Sequence, residues 1–156
     1  MKVNNVTRLL DSRKIPYTAF ELPAEKLGAL EAARLMEIPP EQVFKTIVVT
    51  RLGKGKPILA VVPGPNEVDL KALAKFLGEK KVLLPTEREA ESLTGLQAGG
   101  ISPLALINRG FQVVLDAAAN LYPQIYISGG ERGLDIRLCT KDLITLTNAR
   151  MGGISH

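Results

Sequence analysis

Tryptophan is absent from this 156-residue sequence, which has only four phenylalanines and three tyrosines, one cysteine and one histidine. Each scarcity excludes something. With so few rings the core must be aliphatic, drawn from the Leu, Ile, Val and Ala that dominate an apolar fraction of 46%. The single Cys139 permits no internal disulfide framework and fits a reducing compartment. The only histidine is His156, the last residue, where a disordered tail is expected rather than a catalytic base. A Ser-His-Asp or Cys-His arrangement therefore lacks its central member. The same shortage argues against a transition-metal site, and no motif calls for a cofactor. No run approaches the roughly 20 apolar residues of a membrane helix, and Met1-Lys2-Val3-Asn4-Asn5 lacks the apolar stretch of a signal peptide. The expectation is a soluble, cytoplasmic chain.

What is present suits one domain spanning residues 1–156, long enough for a real core and too short for two. The formal net charge of +4 is compatible with a polyanionic partner without requiring one. Residues 4–13 read as a helix with Val6, Leu9 and Leu10 on one face, and Pro16 ends it. Strands are expected at 17–22, 43–50 and 58–62, the last two forming a hairpin across Gly53-Lys54-Gly55-Lys56. Helices are expected at 28–36, from the Asp69 cap to Gly78, and from the Thr86–Glu89 capping box to about Gly95. Lys81–Leu84 reads as a short strand. Further strands are expected at 111–115, 124–128 and 134–140, then a helix at 141–147 and a polar tail. Interleaved helices and strands with consecutive late strands predict a mixed α/β fold. The expected form is a barrel-like sheet with helices packed outside.

Two tempting motifs fail. Gly55-Lys56 does not complete a phosphate loop, because Pro57 replaces the hydroxyl residue and Thr50 stands where the first glycine belongs. Gly129–Gly133 lies between strands instead of opening a helix, so it is no dinucleotide fingerprint. Cys139 reads as a small strand filler.

Three features remain. Lys45 sits in an apolar strand, on the side of Val43, Ile47 and Val49; it either snorkels to solvent or meets an anion. Gly99-Gly100-Ile101-Ser102-Pro103 is either a tight turn or a concavity of amides for a carbonyl or phosphate oxygen. Ser128-Gly129-Gly130-Glu131-Arg132-Gly133-Leu134-Asp135 has more glycine than a hairpin turn needs. Ser128 and Asp135 flank it and could share one pocket, the alternative for Asp135 being a solvated face shared with Arg137.

These segments, with Val43-Phe44-Lys45-Thr46, resemble the three signature blocks of the YbaK/EbsC family. That family includes deacylases of Cys-tRNA(Pro) and is related to the editing domain of bacterial prolyl-tRNA synthetases. The resemblance implies an aminoacyl-tRNA deacylase without a cofactor. Its implied partners are the misacylated acceptor end of a tRNA and, beyond it, prolyl-tRNA synthetase. Lys45 matches the family's essential lysine, with Gly99 and Gly100 presenting amides to the reacting ester. Thr46, Ile101, Ser102, Pro103, Ser128, Gly129, Gly130 and Asp135 match the substrate pocket. Phe20 falls where relatives carry an aromatic residue, and Leu27 replaces a second one, which leaves Ala-tRNA(Pro) open as the substrate. A non-catalytic tRNA- or nucleotide-binding module is the reading from a different class. Arg51, Lys54, Lys56, Lys80 and Lys81 either contact the tRNA backbone or form an ordinary solvated face.

Overall fold

Local signals in the sequence account for most element boundaries in the computed structural model, which describes residues 2–156. The helices are α1 (Asn5–Ser12), α2 (Ala29–Met36), α3 (Leu70–Leu77), α4 (Glu87–Thr94) and α5 (Thr140–Thr147). The strands are β1 (Tyr17–Glu21), β2 (Phe44–Arg51), β3 (Ile58–Pro63), β4 (Val82–Leu83), β5 (Gln112–Asp116), β6 (Gln124–Ser128), β7 (Leu134–Cys139) and β8 (Arg150–Gly152). Asn4 caps α1 by accepting from the Thr7 amide, and the Thr7 hydroxyl accepts from the Asn4 amide, each at 2.9 Å. Thr86 and Glu89 form the expected reciprocal pair at the start of α4. Asp69 caps α3, and Gly78 closes it in the left-handed region. These contacts satisfy the orphan amides and carbonyls of the helix ends.

The strands form two sheets. One has the order β1-β7-β6 and the other β4-β2-β3-β5-β8. The β2–β3 and β6–β7 hairpins are antiparallel, whereas β3–β5 and β5–β8 are parallel, so the larger sheet is mixed. A bridge from Val43 to Tyr126 ties the two sheets together. Closure into a barrel, expected from the sequence, is not found among the described residues. β3 is the heart of the packing, with all six residues buried. Leu59 and Val61 enter one aliphatic cluster with Phe44 and Leu115. Ile58, Ala60 and Val62 enter a second with Leu73 of α3 and Ile154. A strand covered on both faces reads as a continuous apolar run, and each buried Val, Leu or Ile in it contributes about 1.5–3 kcal/mol.

The polar tail expected after α5 is structured. β8 pairs in parallel with β5, and Ile154 is fully buried. The buried Asp116 carboxylate accepts from the Ile154 amide and the Ser155 hydroxyl, both at 3.0 Å. Glu67 and His156 exchange backbone hydrogen bonds at 2.8 and 2.9 Å. The backbone of His156 is thus held in place while its side chain is exposed. Every one of these partners is distant in sequence, so no local pattern announced them. The expected strand at 81–84 shortens to Val82–Leu83. No helix among the described residues is long and apolar enough to cross a membrane.

Candidate functional site

β2 supplies one wall of the site. Its residues 44–49 pair with β3 on one side, whereas β4 reaches only Thr50 and Arg51 on the other. Phe44 to Val48 therefore keep an unpaired edge, and a cavity of about 480 Å³ opens against it. That size suits a small-ligand site. Lys45 and Thr46 both line it. The Lys45 side chain is 24% exposed, and its ammonium lies 3.6 Å from the Glu67 carboxylate, beyond hydrogen-bonding distance. Its three donors are thus largely uncommitted. The Thr46 hydroxyl is buried with no hydrogen-bond partner. An unmet buried hydroxyl costs about 1–3 kcal/mol.

The opposite wall comes from the β6–β7 hairpin. Ser128 and Asp135 are directly paired across it and both line the cavity. Burial raises the Asp135 carboxyl from 3.8 to about 7. Desolvation alone produces the shift, since the charged form meets no cation. The solvated-face alternative for Asp135 does not hold, and Arg137 instead stacks its guanidinium on the rings of Phe20 and Tyr126.

Two loops close the site. Gly99 lies against Lys26 and Leu27, and all three line the cavity with Ile101. Arg132 donates from Nε to the Ala98 carbonyl at 2.7 Å, fastening this loop to the β6–β7 turn. The turn is itself anchored by Asn4, whose amide donates to the Gly129 carbonyl and to Glu131, both at 2.9 Å. Gly130 has a φ of +93°, and a Cβ there would meet Val6 at 2.9 Å. Gly100 packs so tightly that a Cβ would lie 2.8 Å from the Glu131 backbone. The glycines therefore serve close approach between segments.

The structure brings Lys45, Thr46, Leu27, Gly99, Ile101, Ser128 and Asp135 to one cavity. Phe20, Gly100, Ser102, Pro103, Gly129 and Gly130 are not on its lining. The expectation that Gly100 presents an amide to the reacting ester meets a competing bond, because that amide donates to the Gln97 carbonyl at 2.8 Å. The amides of Gly99 and Ile101 carry no hydrogen bond among the described residues. Ser102 is buried and caps the following turn, accepting from the Leu104 amide. Phe20 packs on Tyr126 with ring centroids 5.6 Å apart. Sequence reasoning did not single out Glu67, Lys26 and Glu87. The last two pair at 2.5 Å across 61 residues, and no motif spacing marks such contacts.

A profile of the aminoacyl-tRNA editing domain matches residues 24–146. The chain belongs to the aminoacyl-tRNA editing family. This editing domain is 35% identical over 153 residues to EbsC of Enterococcus faecalis, which is named, provisionally, as a Cys-tRNA(Pro)/Cys-tRNA(Cys) deacylase. The alignment covers 97% of the domain and 92% of EbsC. A proline–tRNA ligase of Desulfotalea psychrophila is 28% identical over 65% of the domain, a stretch that is 17% of the ligase. A crystal structure described, again provisionally, as a trans-editing enzyme for prolyl tRNA synthetase superposes with a TM-score of 0.82 at 26% identity. That match covers 100% of the editing domain and 99% of the other chain. The mixed α/β architecture expected from the sequence is thus that of known editing domains, and the activity class is that of an aminoacyl-tRNA editing enzyme.

Proposed function

We propose that this editing domain removes cysteine from Cys-tRNA(Pro), acting in trans on tRNA charged by prolyl-tRNA synthetase, with that synthetase as a partner. One observation carries the reading. Lys45, Thr46, Gly99, Ser128 and Asp135 line a single cavity in which no side-chain nucleophile is paired with a base. The likeness to EbsC over nearly the whole chain supports the substrate.

An aminoacyl ester is already activated, so modest lowering of its barrier is enough. Lys45 holds the esterified terminus by charge and hydrogen bonding, and the uncommitted amides of Gly99 and Ile101 polarise the ester carbonyl. Ser128 and Asp135 orient the α-amino group, which in its protonated form supplies the counter-charge that Asp135 lacks. The nucleophile is the substrate's thiol, its ribose hydroxyl or water. When the thiol attacks its own ester carbonyl, a thiolactone closes and the C–O bond breaks. The ribose oxygen then leaves with the proton given up by the thiol. This route selects cysteine without a protein base. Such selection is useful because a binding pocket separates amino acids differing by one methylene by only about 1–3 kcal/mol.

A second reading rests on Leu27, which lines the cavity where the sequence resemblance places an aromatic side chain. A wall altered there suits alanine in place of cysteine. The test is deacylation of Cys-, Ala-, Ser- and Pro-tRNA(Pro) by the wild type and by Lys45→Ala. Rapid loss of the cysteinyl ester alone, abolished in the variant, is the expected result. Loss of the alanyl ester instead selects the second reading. Decay of all four at the background rate while tRNA binds refutes both, and leaves a binding module.

A further inference from the structure

Four strand termini meet at one end of the larger sheet. β2 runs antiparallel to β3 and β4, and β3 runs parallel to β5. The exit of β2 and the starts of β3, β4 and β5 therefore share that end. Residues 51–56, 79–82 and 109–112 lie there and bring together Arg51, Lys54, Lys56, Lys80, Lys81 and Arg109, with Glu79 as the only acid in the three segments. Six cations against one acid give +5, in a chain whose net charge is +4, so the remainder of the molecule is at −1. The whole positive excess is concentrated at one end. A merely solvated surface has no reason to segregate charge in this way, because like charges gathered together repel.

Arg51 organises the cluster without being available to a ligand. Its Nε donates to the Lys56 carbonyl at 2.9 Å, and its remaining nitrogens bond Glu79 and Gln112. The three segments are thereby tied to one another. The other five cations are exposed, and none ion-pairs with a carboxylate among the described residues. Lys56 and Arg109 both lie 5.9 Å from the centroid of the Phe111 ring, which keeps them close together. From this end β4 runs to Leu84 and Pro85, which line the cavity. Lys81 to Leu84 is a span of about 10 Å in extended chain, roughly three nucleotide rises.

We propose that this basic end binds the phosphate backbone of the RNA whose esterified terminus enters the cavity. Four of the five exposed cations are lysines, which act as point charges instead of reading base edges, and the fifth, Arg109, also donates to the Thr94 carbonyl at 3.0 Å. The surface thus positions the RNA without reading its sequence. The proposal rests on the editing reading for its choice of partner, and the test separates the two. Binding of uncharged tRNA and deacylation are measured for the wild type, for Lys80→Gln/Lys81→Gln and for Lys54→Gln/Lys56→Gln. A control, Lys71→Gln/Lys141→Gln, alters exposed lysines elsewhere. Each deacylation assay compares full-length aminoacyl-tRNA with a short aminoacyl-oligonucleotide that fills only the cavity.

Each basic-end pair is expected to weaken tRNA binding about tenfold at low salt and to reduce the salt-dependence slope by roughly one for each phosphate no longer neutralised. The KM for the full-length ester rises in step while kcat and the KM of the short ester stay put, and the control pair changes neither. Unaltered tRNA affinity and slope in both basic-end pairs overturn the proposal. So does an equal rise in KM for both substrates, which would mean that the cavity was disturbed. If the wild type hydrolyses neither ester, the editing reading fails, and the binding and salt data on uncharged tRNA still decide the surface.

Discussion

Replacing Asp135 with asparagine removes a titrating carboxyl while keeping the side chain's shape. Burial holds this carboxyl at about 7, against an ordinary value of 3.8. The folded chain therefore keeps a proton there between those values that the unfolded chain releases. Stability must fall as pH rises through that window and flatten above it. At 1.36 kcal/mol per unit, the roughly three-unit difference amounts to at most about 4 kcal/mol lost between pH 4 and pH 8. Asparagine cannot contribute to that loss. Urea denaturation of wild type and Asp135→Asn at half-unit steps of pH gives ΔG for each from the midpoint and slope. Subtracting one curve from the other cancels the groups they share. The expected difference shifts in favour of the variant by about 1.4 kcal/mol per pH unit near pH 5.5 and levels off above pH 7.5. Parallel curves from pH 4 to pH 8 would refute the argument that Asp135 is desolvated and unpartnered.

Thr46→Val deletes a buried hydroxyl that has no partner; the folded protein should be unchanged or about 1 kcal/mol more stable in urea, and kcat/KM for deacylation should fall if the hydroxyl serves the substrate. Gly100→Ala places a Cβ 2.8 Å from the Glu131 backbone, and the expected cost is about 1–3 kcal/mol of stability with reduced turnover, read by thermal melting and single-turnover assay. Asp116→Asn keeps one acceptor for Ile154 and Ser155 but sets an NH₂ group against the Ala118 amide that Oδ2 now receives at 3.0 Å. A loss of about 1–3 kcal/mol is expected, together with faster proteolysis beyond β8.

How much of this was legible in advance depended on whether the signal was local. Caps and turn glycines carry their information within four residues, so Asp69 and the Thr86–Glu89 pair marked helix starts that the structure retains. The two hairpins followed from adjacency and alternation. The parallel pairing of β8 with β5 did not, since residues 150–152 are few, end in Gly152 and are followed by Gly153, and Asp116, far upstream, anchors Ile154 and Ser155 just beyond them. At the site, alternation located Lys45 but could not reveal that its nearest carboxylate is Glu67. Ser128 and Asp135 flank the hairpin turn symmetrically, and their direct pairing across it follows. Glycine density left a tight turn and a concavity of amides both open at residues 99–103. It could not distinguish Gly99, on the cavity wall, from Gly100, buried behind it, because the difference depends on the Glu131 backbone.

The half-paired state of β2 has a consequence for the protein's behaviour in a crowded solution. Residues 44–49 find partners on one side only, and an open row of amides and carbonyls is a template for strand addition and aggregation. Here the row is recessed, with Ala29 and Ala32 of α2, Ala90 of α4 and the 22–28 loop around it. A second strand must approach to about 4.8 Å along its full length to pair, and the enclosing helices deny it that approach. A narrow, flexible chain end can still enter. The recess proposed to admit a substrate terminus therefore also keeps one copy of the protein from adding its sheet to another.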